Sequence, residues 1–184
     1  METTDTHIAV IYASAQGSTR EIADFIGASL AARGATVEVA DAEHAPELTH
    51  FDAIVLGSAV HNRALLPELE QFVRTHTTEL RTRPVWLFSV GLGPALVGPI
   101  GRLMGRVVPK QIAAVRDSIP PRDYSAFAGH YERAGVSLSA RTVYRVLGGT
   151  RYGDLRDWTA ITTWTNTIAQ ALKLPAPQAT PTHP

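Results

Sequence analysis

The chain of 184 residues alternates between short apolar runs and segments in which apolar residues recur every three or four positions. The run at 7–13 (HIAVIYA) is almost continuously apolar, as expected of a strand covered on both faces of its sheet. Similar runs lie at 36–40, 53–57, 84–90 and 126–131. Strands that alternate with helices are typical of parallel sheets. The pattern therefore predicts an α/β fold with a doubly wound sheet of five parallel strands.

The helical segments fall between these runs. We expect the first helix to end at Arg33-Gly34, the second to cover 65–78 and a further one to cover 139–147. The last helix is predicted to begin at Asp157, a typical N-cap residue. Its apolar face consists of residues spaced three or four apart: Trp158, Ile161, Trp164, Ile168 and Leu172.

A long insertion at about 93–122 separates the fourth predicted strand from the fifth. One domain of 1–174 is the natural unit, because a chain of this length buries one ordinary core. Residues 175–184 (PAPQATPTHP) are proline-rich and polar, which predicts a disordered tail.

Composition narrows the chemistry. The chain has no cysteine, which excludes disulfides, thiolate metal sites and a cysteine nucleophile. No cluster of His, Asp or Glu has the spacing of metal ligands, so we expect no metal site. No basic-aromatic pattern indicates nucleic acid. The first residues, METTDTH, carry no basic segment ahead of an apolar run, so a cytoplasmic location is expected.

Charge is unevenly distributed although the formal net charge is zero. Residues 1–90 are net −6 and residues 91–184 are net +6. The segment 97–116 carries Arg102, Arg106, Lys110 and Arg116 without an acid. Peripheral contact with the inner face of a membrane, or with an anionic ligand, is one interpretation; a solvated helix face is the other. The sequence leaves the oligomeric state open.

Small and hydroxyl-bearing residues connect the first strand to the first helix, in the run VIYASAQGSTREIA at 10–23. The loop from Ser14 to Thr19 lies where unpaired amides and the helix dipole favour an anion. It has neither the lysine of a Walker loop nor the three glycines of a dinucleotide loop. This leaves a phosphate held by hydroxyls and amides, or a simple tight turn at the start of a helix.

Residues 10–19 resemble the phosphate-loop signature of the flavodoxin family. The resemblance implies a flavodoxin-like sheet of order 2-1-3-4-5 and bound FMN. Hydroxyls of Ser14, Ser18 and Thr19 would bind its phosphate, together with amides of the loop. The amides are those of Ala15, Gln16, Gly17 and their neighbours.

Two further loops are implied by the same resemblance to flank the flavin ring. The first contains Ser58, Ala59, Val60, His61 and Asn62. The second contains Ser89, Val90, Gly91, Leu92 and Gly93. Neither holds an aromatic residue, which leaves one ring face open to a substrate or to the insertion. His61 is a candidate to exchange a proton near the ring, or else a loop histidine that only bonds its neighbours.

Segments in 55–73, 83–93, 127–133 and 153–172 are similar to the flavodoxin-like group that includes menaquinone-dependent protoporphyrinogen IX dehydrogenase. This resemblance implies an FMN-dependent oxidoreductase that passes electrons from a tetrapyrrole to a quinone. The alternatives are a quinone reductase, a non-enzymatic electron-transfer flavodoxin and a deazaflavin-binding protein. Electron shuttles depend on charge steering and are usually acidic, so the neutral chain with a basic insertion favours an enzyme.

Overall fold

The computed structural model describes residues 5–92, 94, 108–131 and 153–177. The predicted helix at 139–147 lies outside these ranges, as do Gly93, Arg102, Arg106 and residues 178–184 of the predicted tail. The limits of the single domain stay a prediction.

A parallel sheet forms the centre of the described structure. Its strands are β1 (His7–Ala13), β2 (Thr36–Asp41), β3 (Ala53–His61), the short β4 (Ala64–Leu65), β5 (Val85–Gly91) and β6 (Asp123–Ala128). The parallel strands lie in the order β2-β1-β3-β5-β6, and β4 pairs with β3 in the antiparallel sense. Numbered among themselves, the five parallel strands have the order 2-1-3-4-5. The predicted flavodoxin-like fold class is therefore confirmed.

Helices connect the strands and cover both faces. They are α1 (Ser18–Ala31), α2 (Pro67–Thr75), α3 (Thr77–Thr82), α4 (Lys110–Ser118) and α5 (Trp158–Ala171). Two 3₁₀ turns follow β2, at Ala42–His44 and Leu48–His50. A small antiparallel pair consists of β7 (His130–Tyr131) and β8 (Gly153–Asp154). No helix within these described ranges is long and apolar enough to cross a membrane.

Each face of the sheet has its own hydrophobic core, because successive strand residues point to opposite faces. On one face Val10 and Val55 pack with Ile22, Ile26 and Trp164 of α1 and α5. The opposite core contains residues of β1, β3 and β5 together with residues of α2, α3 and α4: Ile11, Leu56, Leu87, Leu69, Phe72, Leu80 and Ile112. Double coverage explains why the strands are apolar at almost every position.

Several predicted boundaries differ from the observed ones. The third strand does not end at Gly57 but continues to His61, because the chain then turns back and pairs with itself through β4. The predicted helix at 65–78 is divided at His76, whose backbone (φ −108°, ψ 22°) is not helical. The predicted fifth strand begins earlier, at Asp123, and its last two residues form β7.

The predicted end of the first helix and the predicted start of the last helix are confirmed. The Oδ1 of Asp157 accepts a hydrogen bond from the amide of Ala160 at 2.9 Å, which caps α5. Helix α1 is followed by Gly34 in the left-handed region (φ 85°), the conformation that glycine adopts at little cost after a helix.

Candidate functional site

The loop from Ser14 to Thr19 connects the carboxyl end of β1 to the amino end of α1. Gly17 is the N-cap residue with φ 92°, and no side chain caps the helix. The amide of Gly17 donates to the Oγ of Ser14 at 3.0 Å, which closes the turn. The first helical bond runs from the amide of Glu21 to the carbonyl of Gly17 at 3.0 Å. The preceding amides of the first turn therefore have no acceptor within the helix.

Thr19 has a fully buried side chain (0% exposed) whose hydroxyl lacks a hydrogen-bond partner. It is the one such buried side-chain atom in the part of the chain that the structure describes. Ser14 and Ser18 are half-buried, while Ala15 and Gln16 are exposed. A buried hydroxyl without a partner costs about 1–3 kcal/mol of folding free energy. A ligand that accepts this hydrogen bond would remove that cost and would therefore bind more tightly.

The donor set of this loop fits a phosphate group. Three hydroxyl-bearing residues and the first-turn amides lie at one end of α1, where the helix dipole adds positive potential. The Oγ of Ser14 already accepts from Gly17, so its own proton is free to be donated outward. A Cβ added at Gly17 would meet no atom within 4 Å, so the loop faces open space there.

The three predicted loops lie side by side. Ala13 at the end of β1 pairs with Ser58 of β3, and Ser58 pairs with Ser89 of β5. Ala59 pairs in turn with Val90. A Cβ added at Gly91 would lie 3.1 Å from the Cβ of Val60, so the two backbones approach closely here. The sheet thus collects the predicted segments at one edge, at the carboxyl ends of adjacent strands.

Ser58 has a structural task at this edge. Its Oγ is completely buried. It donates to the carbonyl of Ala59 at 2.8 Å and accepts from the amide of Leu66 at 2.9 Å. The side chain therefore closes the base of the β3–β4 hairpin, and its hydroxyl is already used within the protein.

The segment predicted as the second loop is the end of β3 followed by a two-residue turn. Asn62 (φ 49°) and Arg63 (φ 65°) both have left-handed backbone conformations, as in the type I′ turns that match the twist of a hairpin. His61 pairs with Ala64. The turn leaves His61, Asn62 and Arg63 exposed at the sheet edge.

In the third predicted loop, Ser89, Val90 and Gly91 belong to β5 and are buried, while Leu92 is half-buried just beyond the strand. The Oγ of Ser89 lies 2.7 Å from the hydroxyl of Tyr124 on β6. Burial raises the pKa of Tyr124 above its usual value of 10.0, against the opposing effects of the Ser89 hydrogen bond and the charge of Arg116. Tyr124 is therefore neutral at physiological pH.

A surface hollow of about 470 Å³ adjoins the β3–β4 turn. It is lined by Asn62, Arg63, Pro109, Lys110 and Gln111. The start of α4, which belongs to the predicted insertion, thus lies beside the second predicted loop. Two cationic side chains and a helix N-terminus give this hollow a positive character.

Sequence reasoning missed Tyr124, Arg63 and the pair of Glu21 with Arg156. Tyr124 and Arg156 reach the site from distant parts of the chain, and no local motif marks either of them. Arg63 had only a weak signal, since Asn62 is favoured in a two-residue turn and an arginine at the second turn position is not. Among the described residues, no group of three His, Asp or Glu could hold a metal ion.

A doubly wound sheet with a hydroxyl-rich turn after its first strand defines an α/β protein of the doubly wound class. Residues 9–154 match the family model described as "Flavodoxin domain". The chain belongs to this flavodoxin domain family, so the predicted family resemblance is confirmed.

Curated relatives share part of the chain. Protoporphyrinogen IX dehydrogenase (quinone) of Escherichia coli (strain K12) is 27% identical over 85 residues, or 45% of this chain and 47% of that protein. The protein of the same name from Escherichia coli O157:H7 matches equally. The alignment thus spans about half the length of the curated relatives.

Solved structures share the fold. A flavodoxin from the domain Archaea superposes with a TM-score of 0.59 at 17% identity, covering 91% of this chain and 99% of that one. A cysteine-to-serine mutant of flavodoxin from Pseudomonas aeruginosa gives 0.56 at 15% identity, with coverages of 91% and 99%. The rubredoxin oxygen:oxidoreductase of Desulfovibrio gigas gives 0.57 at 16%, with coverages of 94% and 37%. At these identities the likeness concerns the fold.

Proposed function

We propose that this protein is an oxidoreductase that binds FMN at the carboxyl edge of its sheet, with the phosphate in the loop from Ser14 to Thr19. The observation that carries the proposal is the buried hydroxyl of Thr19, which lacks a partner within the protein. A phosphate oxygen at the end of α1 would accept this hydrogen bond. Family membership supports the same cofactor class.

Hydroxyls and amides would hold the phosphate in this proposal. Ser14, Ser18 and Thr19 supply hydroxyls, and the amides from Ala15 to Ser18 supply further donors. Such a set binds a dianion without a lysine when the donors are fixed in advance, because charge-assisted hydrogen bonds strengthen in a water-poor environment. The bond between Ser14 and Gly17 fixes the turn in this way.

The flavin ring would lie against the neighbouring strand ends. The segment from Ala59 to Asn62 would flank it on one side and the segment from Val90 to Gly93 on the other. When bound, FMN supplies two-electron redox chemistry, so the chain itself has to bind, orient and exchange protons. The exposed His61, at the last position of β3, is the residue we propose to hold or release a proton there.

For the substrate we propose a tetrapyrrole, with a quinone as acceptor. The partial similarity to protoporphyrinogen IX dehydrogenase (quinone) supports this choice. So does the hollow beside Asn62, since Arg63 and Lys110 suit a molecule with carboxylate groups. A quinone reductase without tetrapyrrole activity is the second candidate, supported by the same relative. Peripheral membrane contact through 97–116, which lies largely outside the described residues, stays a prediction, as does a cytoplasmic location.

The experiment that tests the proposal is cofactor identification followed by turnover. The visible absorption spectrum of the purified protein is recorded, and FMN and a deazaflavin are then titrated separately into protein freed of cofactor. Tight binding of FMN supports the proposal, and binding of the deazaflavin alone favours a deazaflavin-binding protein. Binding of neither one contradicts the cofactor assignment.

Turnover then separates the remaining alternatives. Anaerobic protoporphyrinogen IX with a soluble quinone should be oxidised in a protein-dependent reaction. A quinone reductase would reduce the quinone with another donor and leave the porphyrinogen unchanged. An electron-transfer flavodoxin would exchange electrons with partner proteins and turn over neither small molecule.

A further inference from the structure

Arg156 is buried between two carboxylates, one of which belongs to Glu21 in the first turn of α1. Only 5% of its side chain is exposed. Its Nε and Nη2 lie 2.7 Å from the two carboxylate oxygens of Asp154, and its Nη1 donates to the Oε2 of Glu21. A two-pronged bond to a carboxylate fixes the plane of a guanidinium group. The bond to Asp154 therefore fixes the orientation in which Arg156 donates to Glu21.

Aromatic packing holds the same guanidinium against α1. The Cζ of Arg156 lies 4.7 Å from the ring centroid of Trp158. That ring meets Phe25 of α1 edge to face, with centroids 5.1 Å apart. Phe25 follows Glu21 by one helical turn, so both contacts lie on the same side of α1.

Asp154 and Arg156 are both charged at ordinary pH. The hydrogen bond from Arg156 is the main cause that lowers the pKa of Asp154. The hydrogen bond to Asp154 is in turn the main cause that raises the pKa of Arg156. His130 pairs with Asp154 between β7 and β8, and its electrostatic effect also lowers the pKa of Asp154.

Glu21 belongs to the same first turn of α1 as the proposed phosphate donors. It follows Thr19 by two residues, in the first turn of α1, and helical side chains lean towards the amino end of their helix. A free carboxylate there would repel the dianion that the first-turn amides attract. Its ion pair with Arg156, which also pairs with Asp154, offsets part of this negative charge.

We propose that Arg156 is a positioning residue for phosphate binding: it holds the Glu21 carboxylate and offsets its charge, so that the first turn of α1 can bind a phosphate dianion. This inference rests on the proposed function, since it requires the flavin phosphate in the loop from Ser14 to Thr19. Arg156 would affect phosphate affinity through Glu21 and would not contact the phosphate itself.

The test compares FMN with riboflavin, which has the same ring and no phosphate. Both are titrated at low salt into the wild type, Arg156→Gln, Glu21→Gln and the double variant. Arg156→Gln should raise the Kd for FMN about tenfold, because an unpaired carboxylate now faces the dianion. The Kd for riboflavin should change less than about twofold, since the repelled charge is absent.

Glu21→Gln separates neutralisation from support of the fold. Alone it should not weaken FMN binding, and combined with Arg156→Gln it should restore the Kd to within about threefold of the wild type. A purely structural role predicts the opposite: Glu21→Gln and the double variant would both bind FMN weakly, and riboflavin would follow FMN. That result overturns the inference.

If Arg156→Gln does not fold, Arg156→Lys distinguishes the charge effect of Arg156 from a structural role. Lysine keeps the positive charge and loses the two-pronged bond, so FMN affinity should stay within about threefold of the wild type. An equal, larger loss for both ligands would refute neutralisation. Wild-type protein that binds neither ligand refutes the proposed function, whereas wild-type binding with unresponsive variants refutes only the role of Arg156.

Discussion

The indole Nε1 of Trp164 donates a hydrogen bond of 2.7 Å to the Oδ2 of Asp123. Trp164 lies in the middle of α5 and is 7% exposed, while Asp123 is the first residue of β6. The other oxygen of Asp123 accepts from the amide of Tyr124 at 2.9 Å. One carboxylate thus fixes both the start of the edge strand and the position of the helix that covers it.

Loss of this carboxylate should destabilise the fold. Asp123→Ala leaves the Trp164 N–H without its acceptor in a largely buried position, which costs about 1–3 kcal/mol of unfolding free energy. Asp123→Asn keeps an acceptor oxygen and should cost less. Urea unfolding followed by tryptophan fluorescence measures the difference. Equal stability of the two variants would show that the hydrogen bond contributes nothing.

Gly57 lies under the ring of Phe88. A Cβ added to Gly57 would lie 2.1 Å from the Cζ of Phe88, whose side chain is fully buried. Gly57→Ala should therefore lower the unfolding free energy by about 1–3 kcal/mol through overpacking. The matched control is Gly57→Ala combined with Phe88→Leu, compared with Phe88→Leu alone, where the methyl group has room. A cost that is the same in both backgrounds would contradict the steric explanation.

Tyr124 should make stability depend on alkaline pH. Because its folded pKa is raised above 10.0, the native state keeps the proton that the unfolded state releases. The stability this provides is complete below pH 10 and is lost as the pH rises through the folded pKa. The wild type should thus lose up to about 1.4 kcal/mol per pH unit more than Tyr124→Phe in this range.

Ser89→Ala serves as the control for this pH effect. It removes the hydrogen bond of 2.7 Å and keeps the titrating hydroxyl, so the extra slope above pH 10 should persist. Unfolding free energies are measured between pH 8 and about pH 11.5. Parallel curves for the wild type and Tyr124→Phe would show that the pKa of Tyr124 is the same in the folded and unfolded states.

Local sequence patterns predicted the order of the strands in the sheet well and the ends of individual strands poorly. Strands such as β1 are apolar because both faces are covered, so their order and spacing can be inferred from the sequence. The extension of β3 to His61 depends on a turn in which Arg63 adopts φ 65°, a conformation that a propensity argument does not favour. The start of β6 at Asp123 depends on Trp164, 41 residues away.

The same distinction applies to the candidate site. The loop from Ser14 to Thr19 is contiguous, so its residue types and its position before a helix were enough to predict an anion site. The site role of Ser58 depended on a resemblance, and its hydroxyl instead bonds Leu66. Arg156 and Glu21 are 135 residues apart, and their pairing follows from tertiary structure alone.

The most direct test of the central claim is FMN titration into the wild type, Thr19→Val and Thr19→Ser, with the unfolding free energy of each cofactor-free protein measured in parallel. Valine removes a buried hydroxyl that has no partner. It should stabilise the cofactor-free protein by about 1 kcal/mol and weaken FMN binding about tenfold to a hundredfold. Serine keeps the hydroxyl and should retain most of the affinity. FMN binding that is unchanged in Thr19→Val would contradict the phosphate site.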